Sequence, residues 1–278
     1  MATDTRRAAY AGRWYPSSPS ELGTLVDRYL AAASPLRGAV AGAVAPHAGL
    51  VYSGPVAGHT YAALRDVDAE AAVLVGPSHY VAFRGCAVPA ARMFDSPLGP
   101  IAIHTELVTA LAGESEWVHV DDAVHAREHS LEMQLPFLAR VRPALPLGPI
   151  LMGRQDRRTV DGLAGVLDRV LGGRSVVVIA SSDLSHYQDR ATASALDRVV
   201  LDRLAAFDAG GLMDQLEHAP DHACGGGPIV VTMRVARAHG ASGGRVLHYG
   251  DSGDVSGDTS EVVGYVSAAF GSFDDGQQ

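Results

Sequence analysis

Three short apolar runs, each ending in a turn that carries a histidine, constrain this chain more than any other feature. Ala41–Ala45 leads into Pro46-His47-Ala48-Gly49, and Ala71–Val75 leads into Gly76-Pro77-Ser78-His79-Tyr80. Val176–Ala180 leads into Ser181-Ser182-Asp183-Leu184-Ser185-His186-Tyr187. A five-residue run of Val, Ile, Leu and Ala bounded by Gly and Pro reads as a buried strand. Strands apolar on both faces belong to parallel or mixed sheets with helices on either side. Ligands of such sheets bind in the crevice beyond the carboxyl ends of the strands. Histidines just past three strand ends are therefore placed to converge, in the pattern of a metal or acid/base site.

Composition narrows the class. The 278 residues are 47% hydrophobic and 19% charged, enough to bury a substantial core in one α/β domain. A net charge of −9, with basic residues scattered singly, argues against a nucleic-acid surface. No apolar run approaches the roughly 18–20 residues of a membrane span, and no signal-peptide core opens the chain. Cys86 and Cys224 are the only cysteines, so no disulfide framework is expected. A reducing cytoplasm is the natural compartment for such a chain.

Local signals mark the helices. Ser18 as N-cap, Pro19 at the first helical position and Glu21 predict a helix whose stripe is Leu22, Leu25, Val26, Tyr29 and Leu30. Further helices are expected over 54–64, 105–111, 156–171, 191–207, 212–216 and 229–239. The stretch 130–138 reads as a helix that Pro136 kinks or interrupts. Residues 86–88, 149–153, 244–249 and 262–270 read as extended, 114–128 as a surface loop carrying His125, and 271–278 as a frayed tail. With no repeat, linker or composition break, residues 1–270 are expected to form a single domain.

Several residues carry chemistry. His47 and His79 each read either as a turn histidine bonding backbone or as a metal ligand, and two converging imidazoles suit iron, copper, zinc or nickel. Cys224 lies in Cys224-Gly225-Gly226-Gly227-Pro228 before a helix, where free N–H groups and the dipole favour a thiolate. Cys86 reads as core filler. Asp183, three residues before His186, either orients a histidine or caps the turn. Glu128-His129 divides more evenly between capping and function. Phosphate-loop, His-Glu-x-x-His and Gly-x-Ser-x-Gly signatures are absent.

Together these segments carry a resemblance. Pro46-His47-Ala48-Gly49-x-x-Tyr52-Ser53-Gly54, Gly76-Pro77-Ser78-His79 and Glu128-His129-Ser130-Leu131-Glu132-Met133-Gln134-Leu135-Pro136 resemble the Memo family, also called AmmeMemoRadiSam system protein B. So do Ser181-Ser182-Asp183-Leu184-Ser185-His186-Tyr187 and Cys224-Gly225-x-x-Pro228-Ile229, flanked by Ala11-Gly12-x-Trp14-Tyr15 and Val263-Gly264-Tyr265. The resemblance spans nearly the whole chain.

The resemblance implies an α/β fold with a central mixed, largely parallel sheet flanked by helices, similar to class III extradiol dioxygenases. It implies non-haem iron(II) held by His47, His79 and Cys224, with Cys224 where the dioxygenases place a carboxylate. His186, beside Asp183, matches their acid/base histidine, and His129, Tyr52 and Ser78 are the candidate pocket residues. A thiolate ligand also suits copper, with zinc ranked below both. The leading expectation is a metal-dependent oxidoreductase acting on a small molecule. A non-catalytic adaptor binding metal or a peptide in the same pocket is the alternative, and a metal-free Cys224/His186/Asp183 hydrolase ranks third. Radical-SAM and AMMECR-type proteins are the partners that the resemblance implies.

Overall fold

The computed structural model describes residues 4–114 and 116–274. In chain order the strands are β1 (Thr5–Arg6), β2 (Gly38–Ala45), β3 (Ala71–Pro77), β4 (Cys86–Val88), β5 (Met93–Phe94), β6 (Ile101–Ala102), β7 (Val118–Val120), β8 (Leu147–Met152), β9 (Val176–Ser181), β10 (Asp183–Gln188), β11 (Gly243–Asp251) and β12 (Val262–Phe273). The helices are α1 (Pro19–Ala31), α2 (Leu50–Ala63), α3 (Thr105–Gly113), α4 (Asp122–His125), α5 (Leu135–Val141), α6 (Arg157–Leu171), α7 (Arg190–Ala205), α8 (Ala209–His218), α9 (Gly226–Ala238) and α10 (Gly253–Ser256).

The three histidine-bearing runs become β2, β3 and β9, adjacent in a nine-stranded sheet. Its order is β10-β12-β2-β9-β3-β8-β4-β7, with β11 also paired to β12. The central four strands, β2, β9, β3 and β8, run parallel. Antiparallel pairings flank them: β12 on β2, β10 and β11 on β12, and β4 on β8. A small second sheet joins β1, β5 and β6. Every residue of β3, β8 and β9 is buried, which requires cover on both faces. Helix α2 packs on β2 and β12, while α9 packs on β9, β2 and β3. The protein is one α/β domain with a mixed sheet flanked by helices.

Local chemistry places most boundaries. Ser18 caps α1 by accepting the Glu21 N–H, and Asp156 caps α6 through Thr159. Helix α2 starts at Leu50, before the expected Gly54, because Gly49 supplies the N-cap and the Trp14 carbonyl accepts the Leu50 N–H. Pro55 then falls inside the helix at the cost of one intrahelical hydrogen bond. Pro136 does interrupt its segment, separating a 3₁₀ turn at Glu132–Gln134 from α5.

Two expectations need correction. The 114–128 stretch is not a surface loop: it contains β7 and α4, and His125 and Glu128 are buried. Polar residues hid this, because Asp121 and Asp122 spend their carboxylates on capping α4 and on the Ala90 and Ala91 N–H groups. The closing strand also runs on to Phe273, paired with Gly38 of β2, so 271–273 is sheet and not tail. The rest of the expected tail beyond Asp274 lies outside the described residues. Among the described residues no helix is long and apolar enough to cross a membrane.

Candidate metal centre

The carboxyl ends of β2, β9 and β3 deliver His47, Ser181 and His79 side by side. One ligand atom each from His47, His79 and Cys224 fall within 4.8 Å of one another, a grouping able to hold a metal ion. The His47 and His79 ring centroids are 5.1 Å apart, and His47 Nε2 lies 3.3 Å from the Cys224 sulfur.

Hydrogen bonds fix which nitrogen of each ring is free. Ser181 Oγ donates to the Ser130 carbonyl at 2.6 Å and accepts from Gln134 Nε2 at 2.8 Å. Its bond to His47 Nδ1, 2.8 Å, must therefore be one in which Nδ1–H donates, leaving the lone pair on Nε2. His79 Nδ1 donates to Glu128 Oε1 at 2.8 Å, which leaves its Nε2 free in the same way. A carboxylate or hydroxyl behind each imidazole is the usual support of a metal-binding histidine.

Glu128, which the sequence divides between capping and function, supports the cluster. Its buried carboxylate accepts the N–H groups of His79 at 2.6 Å, and of His129 and Ser130 at 2.9 Å each. Burial works upward on this carboxyl, but the hydrogen bond from His79 and those from the backbone donors outweigh it and hold the pKa at about 2. Gln134 and Ser181 also support the cluster, and neither is singled out as a site residue by the sequence. The one sequence signal for Glu128 was its place beside His129.

His129 joins the cluster as expected of a pocket residue. Its ring stacks on His79 at 4.4 Å and meets Trp14 at 4.5 Å, with Tyr10 and Tyr80 at 5.6 and 5.7 Å. Burial, followed by the neighbouring His47 and His79, pushes its pKa down to about 3. Burial also drives His47 well below the usual histidine range. Ser78 turns its hydroxyl to the Val81 carbonyl and shapes the His79 turn instead of entering the cluster. Tyr52 stands 40% exposed on the first turn of α2, with no hydrogen bond of its hydroxyl to the cluster.

Asp183, expected beside His186, also supports His47. The segment 181–187 is no simple turn, because Asp183–Gln188 is strand β10, paired with a C-terminal strand that local sequence cannot reveal. The Asp183 carboxylate accepts the backbone N–H of His47 at 2.7 Å and of Ala48 at 3.3 Å, so it shapes the His47 turn. His186 is held through Nδ1 by the Leu184 carbonyl at 2.8 Å. An irregularity opposite β12, between Asp183 and His186, is of the kind that re-aims side chains. His186 and Cys224 line one cavity of about 210 Å³ with Ser185 and Asp221.

Cys224 also departs from its expected state. The first N–H groups at α9 are already taken: Gly225 donates to Ser182 Oγ and Gly227 to Gln155 Oε1. Burial, then the Asp183 charge, raises the thiol above its ordinary range. The imidazole hydrogen-bonded to the sulfur is that of His47, not His186, which removes the basis for a Cys224/His186/Asp183 hydrolase.

Fold and site together define an α/β protein with a two-histidine, one-cysteine cluster at the carboxyl ends of its central strands. A family model described as Memo-like protein matches residues 6–269, and the chain belongs to the Memo family. It is 36% identical over 280 residues to a MEMO1 family protein of Methanopyrus kandleri, covering 95% of this chain and 98% of the relative. A MEMO1 family protein of Methanosarcina mazei is 37% identical over 268 residues, with the same coverage. Among solved structures, an uncharacterized protein of Escherichia coli K12 aligns with a TM-score of 0.52 at 15% identity, over 83% of this chain and 99% of that one. That likeness concerns the fold alone.

Proposed function

We propose that this Memo-family chain is a metal-dependent oxidoreductase, with non-haem iron(II), or copper in its place, held by His47, His79 and Cys224. The supporting observation is the donor set: two imidazoles with Nδ1 already committed to Ser181 and Glu128, and a thiol 3.3 Å from the free Nε2 of His47. Two nitrogens and one sulfur suit a soft or borderline transition metal and not a hard cation such as magnesium. Bound there, such a metal supplies one-electron redox chemistry, open coordination positions and a positive charge that favours the Cys224 thiolate.

The chain's own residues supply the remainder. His186 keeps Nδ1 on a backbone carbonyl, so Nε2 is the atom that takes up or releases a proton in the cavity shared with Cys224. Tyr10, Trp14 and Tyr80 pack around His129 and wall that side of the cluster with aromatic rings. Asp183 fixes the His47 turn from beneath.

Anaerobic purification followed by metal analysis tests the reading, with His47→Ala and Cys224→Ser as variants. Both should lose bound iron or copper, and full occupancy in both overturns the site. Oxygen consumption with catechol-type substrates then tests turnover. Metal bound at this site without turnover of any oxidisable substrate would instead favour a binding protein that uses the same pocket.

A further inference from the structure

A second charged pocket lies apart from the histidine cluster, where the ends of β4 and β8 meet the start of α6. Its volume is about 410 Å³, and its lining includes Arg84, Arg154, Arg158 and Trp117. Among the described residues none of the three arginines forms an ion pair, whereas Arg157 and Arg169, also on α6, do. Arg157 shows the contrast: it turns away to bind Asp214 at 2.7 Å and Glu217 at 2.6 Å. Glu116 and Asp156 also line the pocket, but Asp156 is committed to capping α6 through the Thr159 N–H and hydroxyl. The lining thus carries three arginines and two acidic residues, one of the acids already engaged, in a chain of net charge −9.

The backbone under these arginines is tied down. Gly153 N–H donates to the Gly85 carbonyl and Arg154 N–H to the Phe83 carbonyl, both at 3.0 Å. Arg84 and Arg154 therefore rise from two cross-linked segments. Arg158 rises from the first turn of α6, whose dipole is positive at that end. Each guanidinium presents rigid paired donors that match tetrahedral oxyanions, and a dianion uses more of them than a carboxylate does.

We infer that the Arg84/Arg154/Arg158 pocket binds a phosphoryl group, either as free phosphate or as the phosphate of a small monoester. The site is independent of any metal at the histidine cluster. Only two tryptophans occur in the chain, Trp14 beside His129 and Trp117 in this pocket. Replacing Trp14 with Phe therefore leaves a fluorophore that reports on the pocket.

The experiment titrates inorganic phosphate into the full-length Trp14→Phe protein at constant ionic strength, following Trp117 emission and calorimetric heat. A saturable change is expected, weakening with added sodium chloride. Arg154→Gln and Arg158→Gln should each reduce affinity about tenfold or more, the loss expected when a charge-assisted hydrogen bond is removed. Both side chains are exposed, so the variants should keep the parental unfolding curve, which is recorded alongside. Absence of a saturable response, an equal response to acetate, or unchanged affinity in the Arg154→Gln/Arg158→Gln double variant overturns the proposal. A small phosphate monoester binding more tightly than inorganic phosphate would identify the monoester as the ligand.

Discussion

The hydroxyl of Ser181 lies 2.8 Å from Nδ1 of His47 while its own proton is committed to the Ser130 carbonyl. One hydroxyl thereby sets the imidazole tautomer and keeps the Nε2 lone pair aimed at the Cys224 side. Ser181→Ala removes that acceptor and also strands one bond of Gln134. Metal affinity should fall about 10–100-fold, as when other outer partners of ligand histidines are removed. Stability should drop by about 1–3 kcal/mol from the buried donors left unpaired. Calorimetric titration with cobalt(II) and urea denaturation measure the two effects, and an affinity within twofold of the parent sinks the tautomer argument.

Acid should destabilise the protein in two stages. His125 is buried, with Nε2–H donating to the Ala87 carbonyl at 3.1 Å, and burial pushes its pKa from 6.5 down to about 4. Below pH 6.5 the unfolded chain takes up a proton that the folded chain refuses until about pH 4. Stability is therefore full above pH 6.5 and declines as pH falls toward 4. Glu128 titrates near 4.5 when unfolded and near 2 when folded, so its contribution is present above pH 4.5 and lost between those values. His125→Gln keeps a donor for Ala87 without titrating. It should flatten the upper part of the stability–pH curve by one proton's share, whereas Glu128→Gln should flatten only the lower part. Superimposable curves for His125→Gln and the parent would contradict this.

Arg6 and Glu132 form an ion pair in which both side chains are almost wholly buried. Glu132 also accepts the Ala9 and Tyr10 N–H groups at 2.9 and 2.8 Å and the Tyr15 hydroxyl at 2.6 Å, pinning the N-terminal segment beside the histidine cluster. Arg6→Met leaves that carboxylate buried without its cation, a loss of about 3–5 kcal/mol in comparable cases. Urea denaturation should register it, together with a red shift of Trp14 emission as the segment loosens. A stability change below about 1 kcal/mol would mean that the hydrogen bonds from residues 9–15 suffice to hold Glu132.

What the sequence made legible follows the range of the interactions. Strands β2, β3 and β9 announced themselves because a buried parallel strand is apolar throughout, and His47 and His79 stood out because turns at strand ends are short. Cys224 was found through its glycine run and the family resemblance. The supporting bonds of Glu128, Ser181 and Gln134 are not legible because they reach across 47 to 134 residues, to His79, His47 and Ser181. The bond of Asp183 to the His47 turn is hidden for the same reason: its carboxylate reaches back 136 residues to the His47 N–H. Local periodicity reports which face is buried, and says nothing of which buried polar groups meet.

Gly225 offers the sharpest structural test of the cluster. A Cβ built there would lie 2.4 Å from the Ser181 carbonyl oxygen and 2.7 Å from Ser182 Cβ, contacts that no flexible side chain can relieve. The Gly225 N–H is bonded to Ser182 Oγ at 2.9 Å, so the loop is held against the end of β9 and cannot simply swing out. In Gly225→Ala the loop must shift, carrying the Cys224 sulfur away from His47 Nε2. The overpacking should cost about 1–3 kcal/mol. Metal affinity should fall on the order of tenfold, since ligand sets tolerate misplacement of only about 0.5 Å. Gly113→Ala, at the end of α3 where an added Cβ meets nothing within 4 Å, is the control and should leave metal affinity at the parental level without loss of stability. If Gly225→Ala binds cobalt(II) as tightly as Gly113→Ala, Cys224 is not held in place by this contact and its assignment as a ligand loses its geometric basis.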